Sequence, residues 1–102
     1  MKGESDTKGG TIGVEGYIIE SNNNMGIPQG FYISKVVQNS GADKAGLEIG
    51  NVIVSIDGKK VEVFDDISDV LYEKSKGDTV TLIIKYPSKN EYKEKTVKVK
   101  LS

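Results

Sequence analysis

The stretch Asn39-Ser40-Gly41-Ala42-Asp43-Lys44-Ala45-Gly46-Leu47-Glu48-Ile49-Gly50-Asn51-Val52-Ile53 reads as a short helix, a turn and the start of a buried strand. Ser40 is suited to cap the helix through its side-chain oxygen, and Gly46 to end it in the left-handed conformation. Gly50-Asn51 then turns the chain into Val52-Ile53-Val54-Ser55-Ile56, a run apolar enough for a central strand. Asp57-Gly58, followed by Lys59-Lys60-Val61, is a two-residue hairpin signal.

Upstream, Ile12, Val14 and Tyr17-Ile18-Ile19 predict a first strand broken by Gly13 and Gly16, where the backbone must turn or be approached closely. Ser21 to Gln29 is turn-rich, and Phe31 to Val37 has strand propensity. Downstream, Phe64, Ile67, Val70 and Leu71 repeat at helical spacing, with Asp65 or Asp66 as N-cap and Gly77 as terminator. Phe64 and most of Val70 are expected in the core. Asp78 to Tyr86 alternates, Pro87-Ser88-Lys89-Asn90 turns, and a last strand ends at Val97, Val99 and Leu101. The order β-β-α-β-β-α-β-β indicates an α+β fold, a strongly bent antiparallel sheet or open barrel flanked by two helices. Residues 1 to 10 have no apolar side chain after Met1 and read as a disordered linker or leader, leaving 11 to 102 as one domain.

Composition narrows the function. The 102 residues suffice for one core. Fourteen Lys face fifteen acidic residues, giving a net charge of −1 and no strong field for nucleic acid or anionic lipid. There is no Arg, the side chain best suited to bidentate phosphate or carboxylate contacts. With no Cys or His, thiol nucleophiles, disulfides, His-based triads and nearly all zinc sites are excluded. No apolar run approaches the roughly 18 residues of a membrane span. A binding module is therefore expected rather than a catalyst, with no cofactor, no metal and no catalytic residue.

Three stretches together resemble the PDZ domain, specifically the bacterial type attached to trypsin-like serine proteases of the HtrA/Deg family. They are Thr11-Ile12-Gly13-Val14-Glu15-Gly16, the segment from Asn39 to Ile53, and Ile56-Asp57-Gly58-Lys59-Lys60-Val61. The family's carboxylate-binding loop corresponds to Thr11-Ile12-Gly13-Val14. Starting at this loop and ending with an extra strand matches the circularly permuted bacterial arrangement, a PDZ-like bent sheet of five to six strands. Thr11 stands where the protease branch often carries a large side chain, Gly41 replaces a usual Pro and Asn51 a usual Asp.

The resemblance implies capture of hydrophobic peptide C-termini. Amides of Ile12, Gly13 and Val14 would form an anion nest needing no Arg, and Val14-Glu15-Gly16-Tyr17 would offer a free strand edge. Ile12 and Val14 would face Ile67 and Leu71 across a pocket for the terminal side chain, with Ser68 and Tyr72 on the groove side of the second helix. One buried Val or Leu contributes roughly 1.5 to 3 kcal/mol, against about 8 kcal/mol for micromolar affinity, so binding is expected to be weak and reversible. Implied partners are C-termini of unfolded or cleaved proteins and the protease domain of a parent chain acting in protein quality control. The implied location is the cell envelope or extracellular face. The rival is an assembly or packing domain of a protease or secretion component that binds no peptide.

Other readings are bland. No Gly-Lys-Ser/Thr follows Gly10, Gly13 and Gly16, so a nucleotide phosphate loop is not expected. Glu62, Asp65, Asp66 and Asp69 lack calcium-loop spacing, and acids in a helix's first turn answer to its dipole. The lysines of the C-terminal hairpin alternate with apolar residues as on a solvated strand face, without the aromatic platform of a nucleic-acid site. Ser55 with Lys59 or Lys60 reads as a strand serine and a turn lysine, not a dyad.

Overall fold

The computed structural model describes residues 11 to 21 and 23 to 101; the linker expected over residues 1 to 10 lies outside them. Eight elements follow in the expected order: β1 (Val14–Ile19), β2 (Gly30–Val36), α1 (Gly41–Ala45), β3 (Val52–Ile56), β4 (Lys59–Lys60), α2 (Phe64–Tyr72), β5 (Thr79–Ser88) and β6 (Glu91–Lys100). All pairings are antiparallel, in the order β1-β2-β3-β5-β6, with β4 on β3. The chain thus enters beside an edge strand and finishes in the β5–β6 hairpin, the permuted arrangement the sequence implied.

Local chemistry explains most boundaries. Ser40 caps α1, its Oγ accepting from the Asp43 N–H at 3.2 Å, and Gly46 ends the helix at φ +88°. At the β3–β4 hairpin Asp57 and Gly58 take φ +49° and +84°, both positive as a type I′ turn requires. The carboxylate of Asp57 also accepts from the Thr81 N–H at 2.8 Å, tying the turn to β5. Asn51 is buried, and its Oδ1 accepts from the Glu48 N–H at 3.0 Å, so a neutral amide holds this turn.

The core sits between the sheet and the two helices. Ile33, Val52, Ile53, Ile56, Val61, Val80, Leu82, Ile84 and Val99 are fully buried. Helix α1 joins the start of β1 to the end of β6: the Ala42 N–H donates to the Ile12 carbonyl at 2.9 Å, and Gly41 lies on the Lys100 carbonyl with no room for a Cβ. The sheet remains open, bridged by this helix.

The second helix differs from expectation at both ends. Its N-cap is Val63, whose side chain has no acceptor, while Asp66 caps from inside the first turn, accepting from the N–H groups of Glu62 at 2.8 Å and Val63 at 3.1 Å. Among the described residues Asp65 caps nothing. The helix ends at Tyr72; Gly77, at φ +96°, belongs to the following turn, where its N–H donates to Leu101. Phe64 is also not core: it is 53% exposed.

Candidate peptide-binding groove

Gly13 decides the local geometry. It sits at φ +94°, a region that L side chains rarely adopt, and a Cβ there would collide with the Ser40 side chain. This conformation sends its carbonyl to the Val37 N–H, a bond of 2.8 Å. Ser40 supports the same corner, with Oγ donating to the Val37 carbonyl at 2.7 Å and standing 3.4 Å from the Gly13 carbonyl.

The consequence for β1 follows from antiparallel geometry. Val14 is opposite Val36, while the flanking bond runs from Val37 N–H to the Gly13 carbonyl. Val14 and Val36 are therefore a non-hydrogen-bonded pair, so the Val14 N–H and C=O point away from β2 and toward the open edge. The carbonyls of Ile12 and Gly13 are taken by Ala42 and Val37. Among the described residues no acceptor takes the N–H of Ile12 or Gly13. A bulge at Glu15/Gly16 then redirects the strand.

Two adjoining hollows lie between β1 and α2. The first, about 180 Å³, is lined by Thr11, Ile12, Gly13, Val14, Phe31, Ile53, Phe64, Ile67 and Leu71. The second, about 390 Å³, runs along Val14, Glu15, Gly16, Tyr17 and Ile18, with Phe31 and Phe64 as its other wall. Val14, Phe31 and Phe64 border both, and the two rings meet at 5.9 Å between centroids with a 48° tilt. Tyr17 is exposed and stacks on Tyr32, centroids 5.3 Å apart.

Of the residues singled out in the sequence, Ile12, Gly13, Val14, Ile67 and Leu71 line the first hollow, and Glu15, Gly16 and Tyr17 extend along the second. Ile12 and Ile67 are deeply buried and form its base. Ser68 and Tyr72 line neither: the Ser68 Oγ donates to the Asp65 carbonyl, and Tyr72 borders a small separate hollow with Glu73, Lys74 and Ser75. Sequence reasoning missed Phe31, Ile53 and the wall role of Phe64. Phe31 and Ile53 are register partners across β2 and β3, which a paired-strand reading could have found.

Among the described residues Glu15 is the one charged side chain bordering either hollow, held 4.0 Å from Lys35 in a solvent-exposed pair worth little. An anionic ligand end would therefore meet main-chain N–H groups rather than a cation. The acidic group at α2 is engaged elsewhere. Lys59 stands 3.8 Å from both Asp66 and Asp69, and Lys60 lies 3.8 Å from Glu62. Backbone N–H donation from Glu62 and Val63, helped by Lys59, holds the Asp66 carboxyl below the usual range. Ser55 is the strand neighbour of Lys60, whose ammonium is turned to Glu62.

Comparison with known proteins agrees with this fold. The family model described as PDZ domain matches residues 10–101. The serine protease Do-like HtrA of Lactobacillus helveticus is 37% identical over 70 residues, which cover 69% of this chain and 17% of the relative. The chain thus spans a small part of that protein. Periplasmic serine proteases of the same group also match. An HtrA3 PDZ domain solved with the phage-derived ligand FGRWV superposes with a TM-score of 0.70 at 16% identity, covering 91% of this chain and 85% of that one. An aminopeptidase N family protein of Idiomarina loihiensis has the same fold in 15% of its length, with a TM-score of 0.72 at 22% identity over 99% of this chain. The chain belongs to the PDZ domain family and is of the bacterial HtrA type.

Proposed function

We propose that the groove between β1 and α2 captures hydrophobic polypeptide C-termini by strand addition. The observation that carries this reading is the outward-facing main chain of Val14, together with the Ile12 and Gly13 N–H groups that no described acceptor takes. A terminal carboxylate accepts from this loop. The ligand backbone then pairs along Val14, Glu15, Gly16 and Tyr17, extending the sheet at its free edge. The last side chain enters the hollow formed by Ile12, Val14, Phe31, Phe64, Ile67 and Leu71. Ser68 and Tyr72 are not needed for this anchoring.

No step of bond making is assigned to the domain. In a parent protease of the HtrA/Deg type, acting in the cell envelope, capture would recruit unfolded or cleaved chains or bias a separate protease domain. The names of the relatives support this placement.

The test is residue-resolved NMR with the pentapeptide FGRWV. Shifts gathered at residues 11 to 17 and along α2 from Phe64 to Leu71 are expected. No change with millimolar peptide would overturn capture and favour the packing role.

A further inference from the structure

We infer that a second, basic cleft on the far side of α1 is a docking site for an acidic polypeptide segment. It is an open hollow of about 500 Å³ lined by Asn39, Gly41, Lys44, Ala45, Lys76, Gly77, Lys98, Lys100 and Leu101. None of these residues borders the two hollows between β1 and α2. The inference therefore stands apart from the proposed capture of C-termini.

Four ammonium groups ring this cleft, and they arrive from three places in the chain. Lys44 comes from α1, Lys76 from the turn before β5, and Lys98 and Lys100 from one face of β6. All four residues are exposed, and none pairs with a carboxylate among the described residues. Elsewhere Lys35, Lys59, Lys60 and Lys74 each stand within 4.0 Å of an acid. The acids next to these lysines in sequence point their carboxylates at main chain, with no ion pair to Lys44 or Lys76 among the described residues: Asp43 accepts from the Asn39 N–H, and Asp78 from the Ser75 N–H.

Edge protection explains part of this pattern, since lysines on a terminal strand discourage strand-to-strand aggregation. It accounts for Lys98 and Lys100. It does not account for Lys44 and Lys76, which lie off the strand and converge on the same hollow. Like charges gathered around a concavity repel one another and focus a field that attracts anions. The base of the cleft is apolar, formed by Ala45 and the buried Leu101.

An acidic peptide with interspersed apolar residues matches that combination. A nucleic acid would find no Arg and no aromatic ring in the lining. A lipid surface would meet a concavity rather than a flat basic face. A second copy of this chain is disfavoured because two of the three acids of its α2, Asp66 and Asp69, already stand 3.8 Å from Lys59.

The probe is hexaglutamate acetylated at its N-terminus and amidated at its C-terminus, so that it presents carboxylates but no free chain end. Titrated into the labelled domain at low salt, it is expected to shift residues 39 to 45, 76 to 77 and 98 to 101, with little change at residues 11 to 17. Exchanging Lys44 and Lys98 together for Gln should weaken the response about tenfold, and 1 M salt should suppress it as the screening length falls to about 3 Å. Exchanging Lys89 and Lys93 for Gln on the same hairpin should leave it unchanged. Silence at millimolar probe, or equal weakening by both double variants, overturns the inference. So does an identical response to inorganic phosphate, or binding only to vesicles containing phosphatidylserine.

Discussion

Gly13 and Ser40 are in direct contact: the serine hydroxyl oxygen stands 3.4 Å from the glycine carbonyl, and the space between them admits no Cβ. This contact joins the loop that presents main-chain donors to the cap of α1. Gly13→Ala should therefore cost roughly 1 to 3 kcal/mol, from the left-handed backbone and the displaced serine, and should abolish peptide binding. Urea unfolding and calorimetry of the same variant check both; wild-type stability would contradict the assignment.

Ser40→Ala removes the α1 cap and the hydrogen bond to the Val37 carbonyl. A loss of about 1 kcal/mol is expected, as for other capping hydroxyls. Peptide affinity should fall as well, because the Gly13 corner loses its support. A loss of stability with unaltered affinity would separate the cap from the loop.

Phe64 and Ile67 should behave differently although they lie on one helix. Phe64 is half exposed and walls both hollows, so Phe64→Ala is expected to lower affinity while changing stability by less than about 1 kcal/mol. Ile67 is 4% exposed, and Ile67→Ala should cost about 2 to 5 kcal/mol. Thermal unfolding and peptide titration of the pair distinguish wall from core.

Acid should destabilise the domain through Asp57. The Thr81 N–H, aided by the Lys74 ammonium 3.0 Å away, holds this carboxyl below its usual range. A depressed folded-state value means the folded form holds the proton less tightly than the unfolded form. The stabilisation is complete above the ordinary carboxylate range near pH 4 and is lost as pH falls through it and below. Asp57→Asn, which tolerates the positive φ of this turn, should flatten the dependence of urea midpoint on pH over that interval. An unchanged dependence would show that other carboxylates carry it.

Much of the fold was legible because its signals are local. The Asp57-Gly58 turn, the Ser40 and Gly46 caps and the alternation of Val80, Leu82 and Ile84 each need only neighbouring residues, and each stands as read. The limits of α2 were not legible. Its N-cap Val63 carries no capping oxygen, and Asp66 acts backward on the two residues before the helix, leaving no forward signature. Gly77 is a true left-handed turn residue, but Glu73 to Lys76 supplied no apolar period to show that the helix had already stopped.

The groove divides in the same way. Its loop side lies in consecutive residues around Gly13 and was readable. Two further lining residues, Phe31 and Ile53, are joined only by strand pairing, and helical spacing made Phe64 look like core because periodicity marks a face without saying how far along the helix the core extends.

The most direct measurement compares, by titration calorimetry, FGRWV with a free C-terminal carboxylate and the same peptide as its C-terminal amide. Main-chain gripping of the carboxylate predicts that the amide binds at least about tenfold more weakly, a difference of roughly 1.4 kcal/mol. Equal affinities for the two peptides would contradict it.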